Sequence, residues 1–294
     1  MENPIKATSA ALFAALLYSS SLPLAKILLA SFPHTLLAGF LYLGAGIGMT
    51  LILLLQKNRE RKKIDKSHWI YIFLMIVLDI IAPVLMMKGL SIVRSENASL
   101  LGNFEIVATS IIAFLFFREK ISLKTAFSIL LITLSSVLLT YNKGESIPIN
   151  RGSVLIILST VFWGLENNCT RKLSTNDPKK IVDIKGIFSG IGGIVLGLSL
   201  GERLENTLLL LPTLIIGFFC YGMSIYLYVY AQRYLGAAKT SAYYAINPFI
   251  GVVLALIIFK EKPTPSFLIS LFIMVVGILL LSIDSLKTSM EKEK

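Results

Sequence analysis

Runs of 18 or more mostly apolar residues recur along this chain, and they constrain its fold more than any other feature. They fall at 7–30, 35–55, 69–89, 97–117, 123–141, 152–172, 181–200, 207–230, 240–259 and 266–284. A helix of about 20 apolar residues spans the roughly 30 Å hydrocarbon core of a bilayer. Lipid offers no partner for backbone N–H and C=O groups, so such runs fold as helices that bond internally. The connections are short and leave no room for a soluble domain. Composition closes the alternatives: 55% of the 294 residues are hydrophobic and 15% are charged, against about 25% charged in soluble domains. A soluble enzyme, a disordered chain and a single-anchor receptor are excluded. The expected fold is an all-α membrane protein with ten transmembrane helices.

The formal net charge of +11 could indicate nucleic-acid binding. Its distribution argues otherwise. Lys57, Arg59, Arg61, Lys62, Lys63 and Lys66 sit together between two apolar runs, the pattern of a short cytoplasmic loop. With the N-terminus inside, 20 of the 28 basic residues fall on the cytoplasmic side, Lys185 among them. Both termini are therefore expected in the cytoplasm. Lys6 before an apolar stretch resembles the start of a signal peptide, but the run continues to Ala30 and its removal would break the repeat described next. Cys169 and Cys220 both lie in apolar runs and show no metal-ligand spacing.

The chain repeats itself. Residues 104–122 overlie residues 246–264 at a constant offset of 142, pairing Ala113 with Ala255, Phe117 with Phe259 and Glu119 with Glu261. Nearer the front of each half the offset is 145, and Tyr18 meets Trp163 while Lys26 meets Arg171. Five spans per half is an odd number, so the second copy must cross in the opposite sense. The expected units are 1–145 and 146–285, two inverted five-helix repeats, followed by a charged cytoplasmic tail, 286–294. Inverted repeats are the plan of many secondary transporters, with the solute near the bilayer midplane where the halves meet.

Each half closes on an apolar helix, a short turn (Arg118-Glu119-Lys120 and Lys260-Glu261-Lys262) and a final helix. In this arrangement the chain resembles the drug/metabolite transporter superfamily, specifically its EamA-like members, over nearly its whole length. The helix-breaking proline of that family's penultimate span matches Pro248, in Asn247-Pro248. The first half departs, with Glu105-Ile106 at the equivalent place. The resemblance implies a carrier, often an exporter, of small metabolites such as amino acids.

Ionisable groups at membrane depth cost about 2.5–3.5 kcal/mol each, so they are the first candidates for function. Asp79, Glu105 and Glu166 lie deep in the third, fourth and sixth spans. Each is a candidate proton carrier, or a site for a substrate ammonium; the structural alternative is an ion pair, for instance with Lys185 or Lys88. On the sixth span Trp163, Glu166, Asn167 and Thr170 share one helix face. An aromatic wall beside a carboxylate and an amide suits a zwitterionic or amphiphilic solute. On the ninth, Tyr243, Tyr244 and Asn247 precede Pro248, which frees the Tyr244 carbonyl. The expected binding set is Glu105, Trp163, Glu166, Asn167, Tyr243, Tyr244 and Asn247. Gly186, Gly190, Gly193 and Gly197, with a shorter stripe at Gly44 and Gly48, read as close-packing surfaces.

Gly197-Leu198-Ser199-Leu200-Gly201 matches the G-x-S-x-G pattern of hydrolases, but that motif needs a strand, a turn and a helix, and here it closes an apolar span. No phosphate loop, metal cluster or catalytic set is present, so no cofactor or metal is implied and the protein is not expected to be an enzyme. The expected function is alternating-access secondary transport, driven by a solute or proton gradient, in the plasma or inner membrane. A membrane-embedded lipid or glycan enzyme, or an accessory subunit, is the alternative. The expected partners are a small metabolite and the bilayer, without nucleic acid, and a homodimer is an assembly open to it.

Overall fold

A computed structural model describes residues 4–56, 65–93, 98, 101, 102, 104–140, 151–247, 249, 250 and 265–291. Among the described residues all regular structure is helical. The first half holds α1 (Pro4–Ser19), α2 (Ser21–Leu28), α3 (His34–Leu55), α4 (Trp69–Ile92), α5 (Phe104–Leu115) and α6 (Leu123–Thr140). The second holds α7 (Arg151–Leu173), α8 (Pro178–Ser199), α9 (Leu210–Ile216), α10 (Ser224–Leu235), α11 (Ala237–Tyr244) and α12 (Pro265–Glu291). A π-helical stretch, Gly217–Met223, joins α9 to α10. Pro248 and the turn Lys260-Glu261-Lys262 lie outside the described residues, so the readings placed on them do too.

Among the described residues five stretches are long and apolar enough to cross a membrane: Ile5–Leu28, His34–Leu55, Lys66–Ile92, Pro178–Ser199 and Thr207–Leu235. Phe104–Leu115, Leu123–Ser135 and Leu268–Asp284 are apolar but shorter. The helix α7 has the length, at 23 residues, yet Glu166, Asn167 and Asn168 dilute its apolar character. The surface inverts the pattern of a water-soluble protein. Phe73, Phe114, Phe188, Leu211 and Phe272 are exposed, while Asp79, Glu166 and Lys185 are buried. Exposed apolar side chains cost nothing when the surrounding solvent is hydrocarbon.

Helix contacts recur in related pairs. The first span packs on the eighth (α1 on α10), and the third packs on the sixth (α4 on α7). Likewise α5 packs on α7, and α11 on α1. Two pairs join counterparts directly, α3 with α8 and α6 with α12. The α3–α8 crossing is the most intimate, and glycine makes it so. Gly186 and Gly46 lie backbone against backbone, and a methyl carbon on Gly193 would stand 2.9 Å from the Gly39 Cα. Gly44 and Gly48 face another way, toward Leu214 and Phe218.

The tightest reversal joins α10 to α11 through Gly236 alone, whose φ of 84° is a left-handed value that glycine adopts without strain. Glu119, from the turn after α5, reaches across and accepts the Ala237 N–H at 3.1 Å. Burial pushes the Glu119 carboxyl up from its ordinary range, and that N–H opposes the rise.

Candidate functional site

The buried charge sits where α4, α7 and α8 meet. On α8, Lys185 Nζ lies 2.8 Å from Glu166 Oε1 and 3.1 Å from Asp79 Oδ2. All three side chains are at most 5% exposed. Further donors complete the group: Tyr42 donates to Asp79 Oδ1 at 3.0 Å, and Thr170 donates to Glu166 from one turn along α7. Removing charges from water is costly unless they pair and their remaining lone pairs are bonded; both acids share Lys185, while Asp79 Oδ2 has no hydrogen bond beside that ion pair.

At the next residue of α7 the network continues. Asn167 Nδ2 donates to Glu105 Oε1 at 2.7 Å and lies 3.3 Å from Thr109 Oγ1. Gln232, from α10, donates to the Asn167 carbonyl at 3.0 Å. Asn168 turns to a different neighbour, donating to the Thr109 carbonyl and, within its own helix, to the Gly164 carbonyl. Polar side chains on α7 thus tie it to α5, α8 and α10.

A small cavity opens in front of this network. Glu105, Glu166, Asn167 and Lys185 supply its polar wall, and Trp163, Tyr18, Tyr42, Tyr221, Tyr228 and Tyr244 its aromatic wall. The tyrosine rings form a continuous chain. Centroids are 4.9 Å apart for Tyr228–Tyr244, 5.4 Å for Tyr18–Tyr244, and 5.5 Å for both Tyr18–Tyr221 and Tyr42–Tyr221. The π-helical turn contributes Tyr221; such turns shift the register of a helix and are frequent at functional sites. Tyr18 and Trp163, equivalent positions in the two halves, line the same cavity.

An EamA-like transporter family profile matches residues 5–141 and again residues 150–283. The chain belongs to the EamA-like transporter family. A relative from Methanothermobacter thermautotrophicus, named an uncharacterized transporter, is 30% identical over 288 residues, spanning 91% of this chain and 83% of the relative. A protein of known crystal structure shares the fold with a TM-score of 0.76 at 15% identity, covering 94% of this chain and 98% of its own. The protein is accordingly a multi-pass membrane transporter with two EamA-like repeats.

Within this EamA-like fold the expected site residues separate into two groups. Glu105, Trp163, Glu166, Asn167 and Tyr244 come together around the cavity. Asp79 stands behind it, on the far side of Lys185. Tyr243 points elsewhere: it is fully buried, and its hydroxyl donates to Ser282 of α12 at 3.0 Å. Asn247 is half-buried outside the cavity lining, and its buried Oδ1 has no hydrogen-bond partner.

One correction concerns Lys185. The charge count placed it with the cytoplasmic cations, but it is 4% exposed and bridges two acids. Its position seven residues into α8, past Lys179 and Lys180, was the available signal. Tyr18, Tyr42, Tyr221 and Tyr228 also line the cavity without having been singled out as binding residues. The repeat pairing with Trp163 marked Tyr18, and nothing but depth in apolar spans marked the other three. Ser199, of the hydrolase-like pattern, donates to the Leu196 carbonyl at the end of α8. Among the described residues no group of His, Cys, Asp and Glu is placed to hold a metal ion.

Proposed function

We propose that the protein is a secondary transporter that exports small ammonium-bearing metabolites across the cell membrane. Ten spans form two inverted five-helix repeats with both termini in the cytoplasm. One observation carries the reading: a single cavity, walled by both halves, sets buried carboxylates beside an aromatic surface. Formally, Asp79, Glu105 and Glu166 bring three negative charges against the one positive charge of Lys185. An uncompensated charge at this depth is unfavourable, so a proton or a cationic group on the solute is drawn in to offset it. That makes the same carboxylates the coupling groups for a proton gradient.

The cavity volume, about 50 Å³, admits a few waters and falls well below the roughly 300–1,000 Å³ of small-molecule sites. A solute therefore enters only as the walls part, which is the motion alternating access requires. The α3–α8 crossing, where Gly46 and Gly186 bring the two backbones together, is the surface along which the halves shift against each other.

Flux in proteoliposomes, with and without a pH gradient, tests the reading. Glu105→Gln should lower flux about tenfold or more, the cost of losing a charge-assisted contact. If Glu105→Gln and Glu166→Gln both carry solute at the wild-type rate with unchanged pH dependence, the carboxylate mechanism is wrong.

A further inference from the structure

The two sides of the polar wall differ in how their charge is answered. Glu166 shares Lys185 with Asp79, so that side holds an internal cation. Glu105 has none: its Oε1 accepts from the neutral amide of Asn167, and no lysine or arginine among the described residues pairs with it. Glu105 is half-buried and opens to the cavity. The rings of Tyr18, Tyr228 and Tyr244 line that same space, with successive centroids 5.4 and 4.9 Å apart. A carboxylate without a cation, beside aromatic rings, is the chemistry that attracts an organic cation. Lys185, the one cation of the cavity, already lies between two acids, so a solute carboxylate placed there would meet Asp79 and Glu166 as well.

We infer that the solute site selects small organic amines that lack a carboxylate, with the ammonium bound at Glu105 against the Tyr18–Tyr244–Tyr228 rings. This rests on the transporter reading above and narrows its solute class. Amino acids are then poor ligands, because their carboxylate adds negative charge to a wall that already has an excess. Carboxylic acids without an amine are excluded altogether.

Three probes built on the same phenethyl skeleton separate these classes: phenethylamine, phenylalanine and 3-phenylpropionate. Each is titrated in detergent into the purified full-length protein carrying Trp69→Phe, so that the fluorescence followed is that of Trp163, which lines the cavity. Phenethylamine should bind about tenfold or more tighter than phenylalanine, and 3-phenylpropionate should not bind, as expected from one unfavourable charge contact. Glu105→Gln should weaken phenethylamine about 10- to 100-fold, with Glu105→Asp recovering part of the loss. Tyr244→Leu should weaken it about fivefold, the size of a cation–π contact. Size-exclusion profiles confirm that each variant is folded. Equal or tighter binding of phenylalanine or 3-phenylpropionate overturns the inference, as does unchanged binding in Glu105→Gln or binding of none of the probes. Proteoliposome flux tells this failure from that of the wider reading. Flux of phenylalanine without phenethylamine removes only the amine selectivity, whereas no flux of any solute in a broad metabolite panel removes the transporter reading itself.

Discussion

The first and sixth spans occupy equivalent places in the two repeats, yet one is broken and apolar while the other is continuous and polar. At the offset of 145 that pairs Tyr18 with Trp163, Ser21 corresponds to Glu166 and Pro23 to Asn168. In the first half the span Ile5–Leu28 is interrupted at Ser20, where α1 ends and α2 begins. Pro23 supplies no N–H and cannot tolerate the carbonyl four residues back. In the second half, α7 runs unbroken from Arg151 to Leu173. Asn168 sends its side chain to that very carbonyl position, Gly164, and to α5. The family fold accepts either solution. Of these two equivalent spans only the continuous helix presents an acid and an amide to the cavity at fixed spacing, while the broken one presents the ring of Tyr18.

Removing Lys185 breaks this asymmetry most severely. Lys185→Met leaves Asp79 and Glu166 buried without a cation, and the loss should be about 3–5 kcal/mol, as found for broken buried pairs. Unfolding of the purified protein by a denaturing detergent would show it. If stability is unchanged, α7 does not depend on its internal counter-ion.

Next in size is the imposition of first-span chemistry on the sixth. Asn168→Pro should cost about 3 kcal/mol for a proline in a helix interior, and should lower flux by turning Glu166 and Asn167 away from each other. Detergent unfolding and proteoliposome flux, measured together, check both effects. Normal flux in this variant would mean that continuity of α7 is irrelevant to the site.

The smallest effect is expected from the converse change. Pro23→Ala restores a backbone donor next to a break that already exists, so stability should move by about 1 kcal/mol or less. A larger gain, read from the same unfolding curves, would mean that the break at Ser20 holds strain.

The sequence made much of this legible for definite reasons. Apolar runs announced the helices, because lipid permits few other backbone arrangements. Glu105, Glu166 and Asn167 stood out because polar groups are expensive at that depth. The tyrosine chain did not stand out. Tyr18, Tyr42, Tyr221 and Tyr228 are apolar enough to pass as packing residues, and they meet only when four different helical segments converge. Lys185 counts with the cytoplasmic cations because a lysine near a helix end usually reaches water, yet it is also an expected ion-pair partner for the deep acids, and that is where it lies. Tyr243 and Tyr244 are neighbours in sequence, yet adjacent residues on a helix point about 100° apart, so one reaches the cavity and the other α12.

Gly236 carries a mechanical consequence. With one residue between them, the facing ends of α10 and α11 can never be more than about 7 Å apart, two steps of the chain. A tilt of α10 must therefore drag the start of α11 with it, like two arms of one lever. The fulcrum is held from outside by Glu119, which belongs to the opposite repeat. Tyr228 sits on one arm and Tyr244 on the other, and their rings meet edge to face across the cavity with centroids 4.9 Å apart.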